Sequence, residues 1–235
     1  MKLPRPIRNV IFDLDGVLLD TEPLYTKAIA EVAARHGKLY DWSIKSQCIG
    51  RGTLEAARVI TDGLGLPLSP EELVRQRDLT LLDLLAKAAP MPGAQAFTRA
   101  LAARGVPMAI ATSSESAIFA VKAAAHREWL SLFAAIVCGD DARVRHSKPA
   151  PDIFLAAAAD LAAEPATCVV FEDSPYGVAG ALAAGMQVVA MPDPAMERAR
   201  YSGAQAIVAG FGEIAIPGNG VEPDSAALTL AISSV

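Results

Sequence analysis

The stretch from Asn9 to Thr21, NVIFDLDGVLLDT, limits what this chain can fold into more than any other. Val10, Ile11 and Phe12 form an apolar, β-favouring run that stops at Asp13, Leu14, Asp15 and Gly16. That is how a buried strand of a parallel sheet delivers polar side chains at its carboxyl end. Residues two apart in a strand point the same way, so Asp13 and Asp15 fall side by side, and Gly16 permits a sharp exit. Like charges this close repel unless a cation or a shared proton relieves them, and a hard divalent ion such as Mg2+ suits oxygen ligands of this kind. Alone, a DxD pair reads equally as a solvated strand end or a helix cap.

After this strand the pattern turns helical. Thr21 is placed to cap a helix with Pro23 in its first turn and Glu22 at the positive helix end. Apolar residues then recur every three or four positions in YTKAIAEVAARHG, LEAARVITDGLGL and EELVRQRDLTLLDLLAKAA, with Ser69 and Glu72 in the spacing of a capping box. Residues 19–90 are therefore expected to be a helical bundle inserted after the first strand, with hinges near 17–20 and at the Pro90–Gly93 return. From there helix and strand alternate, the signature of a parallel sheet covered on both faces. VPMAIATSS, AAIVCGDD, CVVFEDS and QVVAMP read as strands, AQAIVAG as an added edge strand, and ESAIFAVKAAAHREWLSLF as one helix. The expected fold class is α/β, a Rossmann-like parallel sheet in residues 1–18 and 91–235 carrying a helical cap. The tail from Ile216 to Val235 has no assignable pattern.

In open α/β sheets ligands bind beyond the carboxyl ends of the strands, near the point where strand order reverses. Those ends carry Asp13 and Asp15, then Thr112, Ser113 and Ser114, then Glu172 and Asp173, with Lys148 in a loop before an intervening helix. Together they are a kit for phosphoryl transfer. One carboxylate attacks phosphorus, and the other protonates the leaving alcohol and later deprotonates water. Hydroxyl and backbone N–H groups hold phosphoryl oxygens, and a lysine and a cation offset the growing negative charge. Asp140 and Asp141, at another strand end, read as loop or capping groups that orient Lys148.

In this order DLDGV, ATSS, SKPAPDIF and VFEDS resemble the four motifs of the haloacid dehalogenase superfamily, and the inserted bundle resembles the cap of its β-phosphoglucomutase-like subgroup. The resemblance implies Asp13 as nucleophile and Asp15 as general acid/base. It implies Thr112 as phosphate ligand through its hydroxyl, Ser113 through its N–H, and Lys148 between nucleophile and phosphoryl group. It also implies Mg2+ held by Asp13, Asp173, the Asp15 carbonyl, and Glu172 directly or through water. DTEPLY, HREWLSLF, VCGDD, KPAPDIFLA and VFEDSPYGV extend the likeness to small phosphomonoesterases of the pseudouridine-5'-phosphatase and glycerol-3-phosphatase type, over most of residues 7–193. That family carries glycine before the motif lysine, where this chain has Ser147.

The expected function is hydrolysis of a small phosphorylated metabolite. A phosphomutase, a dehalogenase and a phosphometabolite binder without turnover are the competing readings. Inside the cap, Arg51 between two glycines and Glu22 are candidate substrate contacts. The net charge of −5, without a dense basic cluster, argues against nucleic acid and anionic membranes as partners. Cys48, Cys138 and Cys168 lack disulfide or zinc spacing and fit a reducing cytoplasm. No apolar run reaches the roughly 18 residues of a membrane span. A soluble, untargeted cytoplasmic protein is expected, a monomer or at most a homodimer. His36, His126 and His146 show no metal-ligand spacing, and Trp42 and Trp129 read as core anchors.

Overall fold

The computed structural model describes residues 3–217 and 228–233. The first strand, β1 (Asn9–Phe12), leads into four helices, α1 (Glu22–Arg35), α2 (Trp42–Cys48), α3 (Thr53–Leu64) and α4 (Pro70–Leu85). After them the chain runs α5 (Ala94–Ala102), β2 (Met108–Ala111), α6 (Ser116–Ala123), α7 (Arg127–Leu130), β3 (Ala135–Val137), α8 (Asp152–Asp160), β4 (Cys168–Glu172), α9 (Pro175–Ala183), β5 (Gln187–Ala190) and β6 (Ala206–Ile207). The six strands form one parallel sheet in the order β3-β2-β1-β4-β5-β6. The order reverses at β1. Successive strands go first to one side of it and then to the other, so the crevice for a ligand opens where β1, β2 and β4 end.

Both faces of the sheet are covered, and alternation along each strand assigns side chains to them. Val10 and Phe12 point into a core with Phe97, Phe133, Phe171 and Phe211, whereas Ile11 points into the other with Phe154, Val170 and Val178. Phe12 stacks on Phe171 with ring centroids 5.0 Å apart, which locks β1 to β4 beneath the site. Each such ring withdrawn from water stabilises the fold by about 1.5–3 kcal/mol. The helices α1–α4 hold a separate cluster of Ile29, Val32, Tyr40, Ile60, Leu66 and Leu73. Ala28, Leu81 and Leu85 pack instead towards Ile118 and Val121 of α6. The two chain crossings between sheet and bundle pair with each other, Asp20 N–H donating to Ala89 O (2.8 Å) and Met91 N–H to Leu18 O (2.8 Å).

Several local expectations change. Thr21 stands at the N-cap position of α1, yet its hydroxyl makes no cap bond there and turns inward to Asp15. Ser69 does cap α4 by accepting from Glu72 N–H, but the Glu72 carboxylate goes to Arg75 and Gln76 rather than back to the cap, so only half of the box forms. The helix expected over residues 115–133 breaks into α6 and α7, where the His126 ring hydrogen-bonds Ala88 O at 2.7 Å. Asp140 accepts from the N–H and hydroxyl of Ser116 at the start of α6, and Asp141 pairs with Arg143, so neither orients Lys148. In the unassigned tail Ile214–Ala215 (β7) pairs antiparallel with Ala231–Ile232 (β8); residues 218–227 and 234–235 lie outside the described part. AQAIVAG does supply the edge strand β6. Ser147 needs no glycine-like backbone, because Ala162 is the sole non-glycine residue with positive φ among the described residues. Trp129 is buried and donates from its indole nitrogen to Thr98, whereas Trp42 is half-buried with Lys45 over its ring. All three cysteines are unpaired, and no helix among the described residues is long and apolar enough to cross a membrane.

Candidate active site

The site is assembled by backbone ends. Asp13 follows β1 directly, its N–H donating to Phe171 O of the adjacent β4 (2.9 Å), so the strand pairing itself places this carboxylate at the sheet edge. Two residues on, Gly16 turns with φ +76°, and a Cβ there would run into the Asp173 carboxylate. Glycine is thus needed for both backbone angle and space. Thr112 and Ser113 leave β2, and Glu172 and Asp173 end β4. At the start of α9, Ser174 caps the helix by accepting from Gly177 N–H, while its own N–H and hydroxyl donate to one Glu172 oxygen at 2.7 and 2.9 Å. A side chain on Gly177 would overlap the Glu172 carboxylate. The first turn of α9 is therefore shaped around that acid.

Lys148 crosses from its loop into this edge. Its Nζ donates to Asp13 Oδ1 at 2.5 Å, Glu172 Oε1 at 2.6 Å and Ala111 O at 3.3 Å, and all three side chains are buried. Asp13, Glu172 and Asp173 each bring a carboxylate oxygen within 4.8 Å of the others. Burial, opposed by Lys148 and aided by the Glu172 and Asp15 charges, pushes the Asp13 carboxyl up to about 7. Burial together with Glu172 and Asp13 likewise raises Asp173 well above the usual carboxylate range. Three crowded carboxylates against one lysine make an electrostatic deficit that a hard cation relieves, and a set of oxygen-only donors is the chemistry Mg2+ accepts. These side chains fit the ion.

The second aspartate stands in the opposite situation. Asp15 Oδ1 accepts from the Thr21 hydroxyl (2.6 Å) and from Lys122 Nζ (2.5 Å), and Oδ2 accepts from the Ser114 hydroxyl (3.1 Å). Burial pushes its pKa up, but the Lys122 charge and the three hydrogen bonds outweigh burial and leave it below the ordinary value. Lys122 is fully buried, and sequence reasoning passed over it. Its signal was a lone charge inside the apolar run AIFAVKAAA.

Thr112 is also fully buried, with its oxygen accepting from Ser114 N–H at 3.1 Å, and Ser113 and Ser114 face the cavity in front of it. That cavity runs from Asp13, Asp15, Lys148, Glu172 and Asp173 up among α1–α4. Glu22 and Arg51 both line it. Glu22 pairs with Lys45 at 3.5 Å, and burial raises its pKa against that lysine. Arg51 donates to Gln47 O (2.6 Å), pairs with Glu55 and lies over the Tyr176 ring of α9 at 5.1 Å, so it bridges the helical layer and the sheet edge. Deeper walls are apolar, from Ile29, Ile60, Leu73 and Val74.

The family model described as haloacid dehalogenase-like hydrolase matches residues 7–185. A Drosophila melanogaster protein named probable pseudouridine-5'-phosphatase is 43% identical over 90% of this chain and 93% of its own length. An Arabidopsis thaliana protein named (DL)-glycerol-3-phosphatase 1, mitochondrial, is 41% identical over 86% of this chain and 70% of its own. Among solved structures, CbbY from Rhodobacter sphaeroides in complex with phosphate superposes with a TM-score of 0.72 at 26% identity, covering 88% of this chain and 96% of that one. With strand order, sheet-edge residues and these matches in agreement, the chain belongs to the haloacid dehalogenase-like hydrolases.

Proposed function

We propose that this protein is a Mg2+-dependent phosphatase that hydrolyses a small phosphorylated metabolite through a phosphoryl group carried on Asp13. The observation that carries the reading is the Asp13 carboxylate, fixed at the carboxyl end of β1 by Lys148 and set beside Glu172 and Asp173 under a cavity open to the helices. A free Asp13 oxygen attacks phosphorus as the ester P–O bond breaks, and Asp15, which takes up a proton from the substrate monoanion on binding, hands that proton to the departing alkoxide. Water then attacks the phosphorus of the acyl phosphate and gives its proton to Asp15, releasing phosphate and restoring Asp13. Ser113 N–H and the Thr112 hydroxyl hold non-bridging oxygens, and Lys148 keeps Asp13 aligned and opposes the charge that builds up. Asp13, Asp173, the Asp15 carbonyl and Glu172 are the groups that would hold Mg2+; bound there, it supplies positive charge against both the carboxylates and the phosphoryl oxygens. Residues 19–90 act as the cap, closing by bending at the paired crossings near Leu18–Asp20 and Ala89–Met91 so that bulk water is excluded. Glu22 and Arg51 contact the organic part of the substrate. Nucleoside, polyol and sugar monophosphates are the class addressed, in a reducing cytoplasmic setting that suits three free thiols.

The test is phosphate release from a panel of phosphomonoesters, with and without Mg2+, for the wild type and Asp13→Asn. Turnover that needs the metal and falls by about 10⁴-fold or more in the variant supports the reading. A variant as active as the wild type removes Asp13 as nucleophile. Isomerisation of a sugar phosphate that needs an added sugar bisphosphate, with no net phosphate release, means a mutase instead.

A further inference from the structure

The sheet edge holds two buried lysines, one for each aspartate of the DLDGV segment, and the proposed mechanism uses only Lys148. The other, Lys122, lies near the end of α6, on a helix whose neighbouring Ile118 and Val121 pack against Leu81 and Leu85. Its Nζ donates to Asp15 Oδ1 at 2.5 Å and to the Ser114 hydroxyl at 2.8 Å; that hydroxyl in turn donates to Asp15 Oδ2 at 3.1 Å. Lysine, serine and aspartate thereby close a ring in which both carboxylate oxygens are held. Above it, the Tyr25 ring of α1 lies 5.2 Å from the ammonium. Asp15, Ser114 and Tyr25 line the cavity, but Lys122 does not.

An ion pair of this kind, with the lysine fully buried and the aspartate mostly so, is a poor stabilising device, since withdrawing the charges from water offsets most of their attraction. What it does supply is orientation. Asp15 is three residues beyond the end of β1, just before the turn at Gly16, and its carboxylate is held by side chains alone, Thr21 on one oxygen and the Lys122–Ser114 pair across both.

On the reading of Asp15 as the acid/base group, we propose that Lys122 is a positioning residue for phosphoryl transfer: through its bonds to Asp15 and Ser114 it fixes the Asp15 carboxylate in the one orientation that reaches the leaving-group oxygen. Lys122 touches neither substrate nor the reacting atoms. Its loss frees a catalytic carboxylate by the ångström or so that is enough to cost on the order of 100-fold in the step that carboxylate serves.

The experiment compares phenyl phosphate, whose leaving group needs a proton, with 4-nitrophenyl phosphate, whose leaving group departs without one. kcat/KM is measured with Mg2+ for the wild type, Lys122→Met, Lys122→Arg, Asp15→Asn and the Lys122→Met/Asp15→Asn double variant. Lys122→Met is expected to lose about 100-fold on phenyl phosphate and less than about 5-fold on 4-nitrophenyl phosphate, and Lys122→Arg to recover most of the difference. The double variant should match Asp15→Asn within about twofold, as residues acting through one group do. A merely structural lysine would lower both substrates equally, and that result, or wild-type values for Lys122→Met, overturns the proposal. Asp15→Asn separates the two layers. Selective loss there with none in Lys122→Met sinks the role of Lys122 alone, whereas an unselective Asp15→Asn removes the acid/base reading and the positioning role with it. If Lys122→Met does not melt cooperatively, Ser114→Ala opens the same ring from the other side. A selective loss of about tenfold there supports the proposal and an equal loss on both substrates overturns it.

Discussion

The sheet edge and the helical layer that roofs it are built on different rules. At the edge, polar contacts join residues far apart in the chain: Asp13 to Lys148 across 135 positions, Asp15 to Lys122 across 107 and Asp15 to Ser114 across 99. In the helical layer lining the cavity the links are shorter in sequence, Arg51 with the Gln47 carbonyl and Glu55, Arg77 with Asp78 next to it, and Glu22 of α1 with Lys45 of the following α2. Long-range contacts of this sort can form only once the strands and helices that carry them have come together. Local contacts survive a change of neighbour. On the proposed function, the edge carries the chemistry and the roof meets the organic group of the substrate.

The sharpest way to break this comparison is to remove a strut from the edge. Lys148→Met leaves the Asp13 and Glu172 carboxylates buried without their shared cation, which costs about 3 kcal/mol in metal-free protein and lowers the melting temperature by roughly 6–12 °C. Calorimetry in EDTA reads the stability, and kcat in Mg2+ should fall by about 10²–10³-fold. An unchanged melting point would mean that Asp13 and Glu172 do not depend on this lysine.

That strut was legible before folding because Lys148, like Asp13, Thr112, Glu172 and Asp173, sits in a segment where an apolar strand or a proline-marked helix start ends in polar residues. Lys122 was not, because its partner is set by which face of α6 turns inward, and helix periodicity alone does not say. Thr21 misled for a related reason. A threonine before Glu-Pro is a natural cap, but the buried Asp15 carboxylate competes for the same hydroxyl and wins. The break between α6 and α7 depends on a tertiary bond from His126 to Ala88, and the pairing of β7 with β8 joins segments that periodicity treats separately.

Two glycines sharpen the contrast. Gly177→Ala thrusts a methyl into the Glu172 carboxylate, which Lys148 and Ser174 hold in place, and should cost about 2 kcal/mol by overpacking. Gly63→Ala in α3 meets only the Cδ1 end of Ile44, a terminal methyl free to rotate. Relief of glycine's low helix propensity should leave that variant neutral to about 1 kcal/mol more stable. Denaturant midpoints for the two variants test this pair, and the opposite ranking would mean that the roof is the stiffer region.

Charge crowding gives the edge a pH signature that the roof lacks. With Asp13 at about 7 when folded and near 4 when unfolded, the metal-free folded chain keeps a proton that the unfolded chain releases. Its stabilising contribution is complete below about pH 4 and is lost as pH rises to about 7. Mg2+ competes with that proton, so its apparent affinity should rise about tenfold from pH 6 to pH 8, and the Mg2+-induced gain in melting temperature by roughly 3–5 °C. Equal gains at both pH values would place the ion away from Asp13.

The smallest expected effect belongs to the roof. Arg51 is held by a backbone carbonyl, a glutamate one helical turn away and the face of Tyr176, all at or near the cavity surface. Removing it as Arg51→Ala loses a solvent-exposed ion pair and one contact with a ring, and leaves the buried ion pairs of the edge intact, so melting should shift by less than about 1 kcal/mol equivalent. KM for the preferred phosphomonoester should rise about fivefold through loss of one cation in the cavity, with kcat held within about twofold. The split matters more than the size. Raised KM with kcat intact puts Arg51 in recognition, as a locally supported side chain should be. A kcat loss comparable to that of Lys148→Met, at constant KM, would instead make this arginine part of the chemical step. The division between edge and roof would then fall at the contact of Arg51 with Tyr176.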